Sequence, residues 1–143
     1  MNKFIGMVIY NSENNFKLNN SVEISKWIEF VIHQEDRDLG EVNYIFCDDS
    51  YLLEINIKEL KHNTLTDIIS FDYTVGDIIS GDIFISTERV KENADEFSNI
   101  FKDELHRVII HGVLHYCGYK DKTDDEKKEM RSKEDYYLSL RTF

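Results

Sequence analysis

At 143 residues, 41% of them hydrophobic and 13% aromatic, the chain is sized for one ordinary domain that buries its own core, which excludes a disordered polypeptide. It has no proline and only six glycines, so a Pro-rich linker, a collagen-like tract and a low-complexity segment are excluded too, and there is no internal repeat. A net charge of −11 argues against broad, nonspecific binding to nucleic acid, which calls for a basic surface.

The first predicted element is a strand over Phe4–Tyr10. Its apolar run, about seven residues, is too short to cross a membrane, and the small-residue cleavage site of a secretory signal is missing. Asn20 and Glu23 are spaced as a capping pair opening a helix to about Ile32, with Trp27, Phe30 and Val31 on one face. Val42–Cys47 reads as a strand. Asp48 or Asp49 then caps a helix with Leu52, Leu53, Ile55 and Leu60 as its apolar positions. Thr66–Tyr73 and Gly81–Ser86 read as strands joined by a turn around Val75-Gly76. Helices follow over Thr87–Phe97 and Asn99–Cys117, the latter ended by Gly118 as a left-handed cap. Thr123 and Glu126 form a capping box for a last helix to about Leu140. The expected architecture is α+β: a small mixed sheet of about four strands packed by about five helices, as a single domain over residues 1–143. The two cysteines, Cys47 and Cys117, fit a reducing compartment without disulfides, and the expected location is the cytoplasm.

The chemistry lies in HGVLHYCGYKD, residues 111–121. His111 and His115 are four apart on the long helix and share a face, so both can reach one ion. Gly118 breaks the helix, and the turn can return Asp121 over that face as a third ligand. Asp124 and Asp125 are alternatives, but the Thr123 cap claims them for the next helix. Three protein ligands leave a fourth position open, as in catalytic rather than structural zinc sites. The spacing resembles the zinc-peptidase pattern H-E-x-x-H-x-x-G-x-x-H, except that the peptidase's general base is replaced by Gly112. The expected cofactor is therefore one zinc ion per chain, held by His111, His115 and Asp121.

Cys117 lies near the opposite helix face and reads as a small buried apolar group. His106 is off the ligand face and reads as a solvated or capping residue; His33 favours a helix dipole. Lys61 and His62 precede TDIISFDY in a loop that can lie over a cleft, where they would contact phosphate or transfer protons; the competing reading is a solvated loop. Acids crowd residues 35–54, whereas Lys58 and Lys61, and separately Lys120, Lys122, Lys127 and Lys128, can form a local basic rim.

Several segments, in order, resemble the YbeY family of bacterial ribosomal-RNA maturation endoribonucleases. INIKELKHNTLTDIISF (55–71) is similar to the family's L-N … T-D-V-L-S-F, GDIFIS (81–86) to its G-D-I-x-I strand, and HGVLHYCGYKD to H-G-x-L-H-x-x-G-Y-D-H. Met130 and Glu134 resemble the M-x-x-x-E that follows, so the match spans roughly residues 42–140. The glycine after the first histidine is the family's own residue. The resemblance implies a zinc-dependent, single-strand-directed endoribonuclease acting on the 3′ end of small-subunit ribosomal RNA and in ribosome quality control. Its implied partners are that RNA or its precursor and the ribosome or ribosomal proteins, with no membrane. Three departures stand out: Asp121 replaces the usual third histidine, Leu60 replaces an arginine, and Leu65 replaces a proline. Two other functions fit a metal site here, a metallopeptidase-like hydrolase and a nonenzymatic ribosome-assembly factor with structural zinc. Gly112 argues against the first.

Overall fold

The structure is a computed structural model and describes residues 6–143. In chain order the elements are β1 (Met7–Ser12), α1 (Ser21–Gln34), β2 (Asp38–Cys47), α2 (Asp49–Leu60), β3 (Ile68–Asp72), β4 (Ile78–Ser86), α3 (Thr87–Glu96), α4 (Phe101–Tyr116) and α5 (Asp124–Ser139). The four strands form one mixed sheet in the order β1-β2-β4-β3. β1, β2 and β4 run parallel, while β3 pairs antiparallel with β4 from Ile68↔Ile85 to Asp72↔Gly81. The expected α+β architecture is thus observed. The start of the first predicted strand, at Phe4, lies outside the described residues.

Strand periodicity divides the core. Ile83 and Ile85 of β4 enter the main core with Ile24 and Ile28 of α1, Ile109 and Val113 of α4, and Met130 and Tyr137 of α5. Phe84, between those isoleucines, packs instead with Cys47, Leu52 and Ile69 in a smaller cluster beneath α2. Sheet faces are therefore covered unequally, and α4 lies deepest. Leu105, Val108, Ile109, Ile110, Val113 and Leu114 are all buried, and the Tyr44 hydroxyl donates to the Ile109 carbonyl at 2.9 Å. Gly112 sits where α4 meets the sheet: a Cβ there would lie 2.9 Å from Ile83 Cδ1 and 3.2 Å from Ile68 Cδ1. From Glu104 onward, what remains open on α4 is a stripe through Glu104, Arg107, His111 and His115.

Three local expectations are corrected. Asn20 does precede α1, but with φ 60° and without a side-chain capping bond; asparagine tolerates the left-handed conformation, which aims its side chain away from the orphan amides. Phe30 is 41% exposed, so the buried stripe of α1 is Ile24, Trp27, Ile28, Val31 and Ile32. His106, read as solvated, is buried between Trp27 and Phe143, with Arg141 Nη1 donating to its Nδ1 at 2.7 Å.

That burial has a measurable consequence. Desolvation, with the Arg141 and Lys102 charges, lowers the His106 pKa from 6.5 to about 4. Protonation therefore favours the unfolded chain, and the stability contributed by neutral His106 is complete above about pH 6.5 and lost as pH falls toward 4. The full swing is on the order of 3 kcal/mol. Urea unfolding at pH 7 and pH 4.5 is expected to show a smaller acid loss in His106→Gln than in the wild type; equal losses would count against this role.

Candidate metal centre

Helix α4 ends in a way that builds the site. Gly118 takes φ 106°, its N–H donates to the His115 carbonyl at 3.0 Å, and the Tyr119 N–H donates to the Leu114 carbonyl at 3.1 Å. This pair of bonds is a Schellman closure, which needs a residue at home with positive φ. The turn is pinned from outside by two residues that follow α1. Arg37 Nη2 donates to the Cys117 carbonyl at 3.3 Å, and the Tyr119 hydroxyl donates to Glu35 Oε1 at 2.6 Å. Tyr137 of α5 also donates to Glu35, and Lys133 lies 3.6 Å from it. Burial raises the Glu35 pKa, but the Tyr119 and Tyr137 hydrogen bonds and the Lys133 charge outweigh it and hold the carboxylate below its ordinary value. Downstream, Thr123 and Glu126 close the capping box expected for α5. Between these two closures the chain has little freedom, and Asp121 is carried back over the α4 histidines.

His111 Nε2 lies 3.2 Å from Asp121 Oδ2, and His115 Nε2 lies 3.8 Å from Asp121 Oδ1. One donor atom from each of the three residues falls within 4.8 Å of the others. A tetrahedral ion binding nitrogen and oxygen at about 2.1 Å keeps its ligands about 3.4 Å apart. The observed separations bracket that value, so the donor set fits a divalent metal. His111 Nδ1 lies 2.7 Å from Oε2 of Glu134, a buried carboxylate on α5 that also accepts from Arg107 Nη1 at 2.8 Å. A proton shared with Glu134 at Nδ1 leaves the His111 Nε2 lone pair directed at Asp121, the carboxylate–histidine arrangement that orients metal ligands. Burial lowers the His111 pKa, but the Glu134 hydrogen bond and the charges of Glu134, Asp121 and Asp67 override it and hold it above its ordinary value. The surroundings favour positive charge at this point.

The three candidate ligands stand on the wall of a cleft of about 810 Å³ between α4, α5, the end of α2 and the start of β3. The loop after α2 is anchored beside this cleft by Asn56 of α2, which is buried. Its carbonyl accepts from the His62 N–H at 3.1 Å, and its side chain donates to the Thr64 carbonyl at 2.8 Å. His62 lines the cleft; Lys61, which ends α2 with φ 57°, is exposed and does not. Leu60, at the position of the expected family arginine, also lines it.

Sequence reasoning assigned no role in the site to four residues of the cleft. Arg107 and Glu134 form a buried-edge ion pair behind His111, Arg131 projects from α5, and Asp67 stands at the entry to β3. Burial raises the Asp67 pKa against the opposing charge of His111. Spacing could have found two of these: Arg107 is four before His111, on the ligand face of its helix, and Arg131 is four after Lys127, one of the lysines of the expected basic rim. Cys117 is buried, and desolvation with the Glu35 charge raises its thiol to about 12, which removes it as a ligand or nucleophile.

A family profile described as endoribonuclease YbeY matches residues 8–141. The chain belongs to the YbeY family. Relatives named endoribonuclease YbeY from Flavobacterium psychrophilum and Flavobacterium johnsoniae are 58% and 55% identical over 134 residues, covering 94% of this chain and 96% of each relative. The same name is carried by a protein of Christiangramia forsetii that is 51% identical over 135 residues, 94% of each chain. Among solved structures, the solution structure of TM1509 from Thermotoga maritima aligns with TM-score 0.68 and 30% identity, over 93% of this chain and 87% of that one. Membership of the YbeY family makes the chain an RNA-cleaving hydrolase by class. Among the described residues no helix is long and apolar enough to cross a membrane.

Proposed function

We propose that this chain is a zinc-dependent, single-strand-directed endoribonuclease of ribosomal-RNA maturation. In this reading it is one catalytic domain over residues 1–143, working in the cytoplasm on the 3′ end of small-subunit RNA and in ribosome quality control, in contact with ribosomal particles. The observation that carries the reading is the convergence of His111, His115 and Asp121 donor atoms on the wall of an open cleft of about 810 Å³.

Zinc bound there supplies Lewis-acid polarisation of a phosphoryl oxygen and a water of lowered pKa. The chain's own residues do the rest. His111 and His115 would supply ring nitrogens to the ion, and Glu134 orients the His111 ring. Asp121 adds a negative charge where a third histidine would be neutral, which makes a bound water a weaker acid. His62, presented by the Asn56-anchored loop, meets the substrate phosphate or carries a proton, with Lys61 beside it as an outer charge. The residue that follows His111 is Gly112 rather than a glutamate, which weakens the peptidase alternative.

Freshly purified protein is expected to contain about one zinc per chain, the count for one three-ligand site. Chelation should stop cleavage of a single-stranded RNA, and zinc should restore it. A Lys61→Ala, His62→Ala double variant should keep its zinc and lose cleavage. Full cleavage by metal-free protein would sink the metal-dependent reading. Normal cleavage by the double variant would remove the loop from the mechanism.

A further inference from the structure

The charged groups lining the cleft differ in how they are partnered. Arg107 is held by Glu134 at 2.8 Å and by Asp135 at 2.6 Å. In a second trough of about 330 Å³, Arg141 is held by Asp103 at 3.0 Å. Lys127 and Arg131 are different. Both line the metal cleft, both are exposed, and among the described residues neither has an ion pair within 4.0 Å. They are four apart on α5, so their side chains rise from one helix face about 6 Å apart along the axis. A like-charged pair at that spacing costs helix stability unless an anion lies against it.

The two troughs adjoin one another. Glu104, Arg107 and Arg131 line both, so the open surface runs from the metal ligands along the α4–α5 seam toward the end of α5. On the α4 side of this path Glu104 is acidic and Arg107 is neutralised; on the α5 side Glu134 and Asp135 are committed to Arg107, which leaves Lys127 and Arg131 as the free charges. A polyanion entering the path is repelled by one wall and attracted by the other.

We propose that Lys127 and Arg131 form a phosphate track on α5 that guides a single RNA strand into the metal site, one cation to each of two successive phosphates. This rests on the RNA-cleaving reading above and adds to it the side of the cleft on which the strand lies. The track answers how a chain of net charge −11 takes up RNA: the body stays acidic, and two unpaired cations are placed along the path to the metal. The pair binds the backbone and does not touch the reacting atoms, so its loss acts on KM and on salt dependence. Any effect on kcat at saturating RNA should be small.

The test uses zinc-loaded full-length protein and a fluorescently labelled single-stranded RNA. Binding is measured across a salt titration, and cleavage as kcat and KM, for the wild type, for Lys127→Ala with Arg131→Ala, for the charge-keeping exchange Lys127→Arg with Arg131→Lys, and for Lys128→Ala. Lys128→Ala removes one positive charge from the same helix at a position that does not line the cleft. The double alanine variant is expected to bind at least about tenfold more weakly at low salt. Its slope of log K against log salt should be shallower by about 1.4, about 0.7 for each phosphate left without its cation on a single strand. Its zinc content and kcat should hold, the charge-keeping exchange should restore most of the affinity, and Lys128→Ala should match the wild type. If the wild type cleaves RNA and the double alanine variant keeps its KM and slope, the track is wrong and the endoribonuclease reading stands. If Lys128→Ala weakens binding as much as the double variant, the effect is bulk charge and the track is again wrong. If the wild type neither binds nor cleaves single-stranded RNA, both readings fail together.

Discussion

Replacing His115 by alanine is expected to empty the metal site and to lower RNA cleavage by about a thousandfold or more, the several kcal/mol that a Lewis acid contributes. His115 is the cleanest ligand to remove. It is 41% exposed at the side chain, and its ring neighbours are His111 and Asp121, so the fold has little at stake. His111→Ala would also strip Glu134 of a hydrogen-bond partner and confuse metal loss with destabilisation. The comparison is zinc content, thermal unfolding and cleavage of one single-stranded RNA by wild type and variant. Loss of zinc and cleavage with an unchanged unfolding temperature is the expected pattern. Asp121→His is the companion variant: it should keep the metal, since a nitrogen donor replaces an oxygen donor at the same turn. A His115→Ala protein that retains stoichiometric zinc would show that the ligands lie elsewhere.

Glu134→Ala should strike stability and metal together. The carboxylate is buried, and it holds Arg107 at 2.8 Å and His111 Nδ1 at 2.7 Å. Its removal leaves a largely buried guanidinium with only its exposed Asp135 partner. Breaking one side of a buried pair costs about 3–5 kcal/mol, and the Asp135 pairing should keep this case near the lower end. Loss of the group that orients a ligating histidine weakens metal binding by about 10–100-fold. Glu134→Gln separates the two effects. The amide keeps the shape and can still accept from the imidazole, so stability should recover further than metal affinity. Chemical unfolding of the metal-free proteins and competitive zinc titration read the two quantities independently. Equal zinc affinity in all three proteins would show that Glu134 supports Arg107 alone.

What the sequence made legible was what depends on near neighbours. His111 and His115 share a helix face by spacing, Gly118 supplies the left-handed turn, and Thr123 with Glu126 closes a box over four residues. Each is decided within about one helical turn. A strand over Gly81–Ser86 was readable for the same reason, as the second part of β4. What stayed hidden depends on distant partners. His106 is buried because Trp27 and Phe143 close on it from α1 and the chain's end, and no local pattern around 106 says so. Glu134 meets His111 across 23 residues, and Glu35 reaches Tyr119 across 84. Phe30 looked like a core residue by type, but α1 presents a narrower stripe to the sheet than its apolar content suggests. Lys61 and His62 were read as a pair, yet Lys61 takes the left-handed turn between helix and loop, and His62 alone lines the cleft.

The close approach beneath Gly112 bears on what this scaffold can become. The position a zinc peptidase gives to its proton-carrying glutamate is here the point where α4 rests on Ile83 and Ile68. An acid introduced there would meet methyl groups of the sheet before it met solvent, with a buried charge to accommodate. Making room would lift α4, and the two histidines would move with it. The barrier to protease chemistry is thus a volume already occupied rather than a residue waiting to be changed. The ligand at the end of the turn is under no such restraint, because Asp121 stands in an open cleft where a different donor fits without displacing the core. Variation in this architecture should therefore run through the identity of the third ligand, which tunes the metal, while the seat of the helix holds the reaction class fixed.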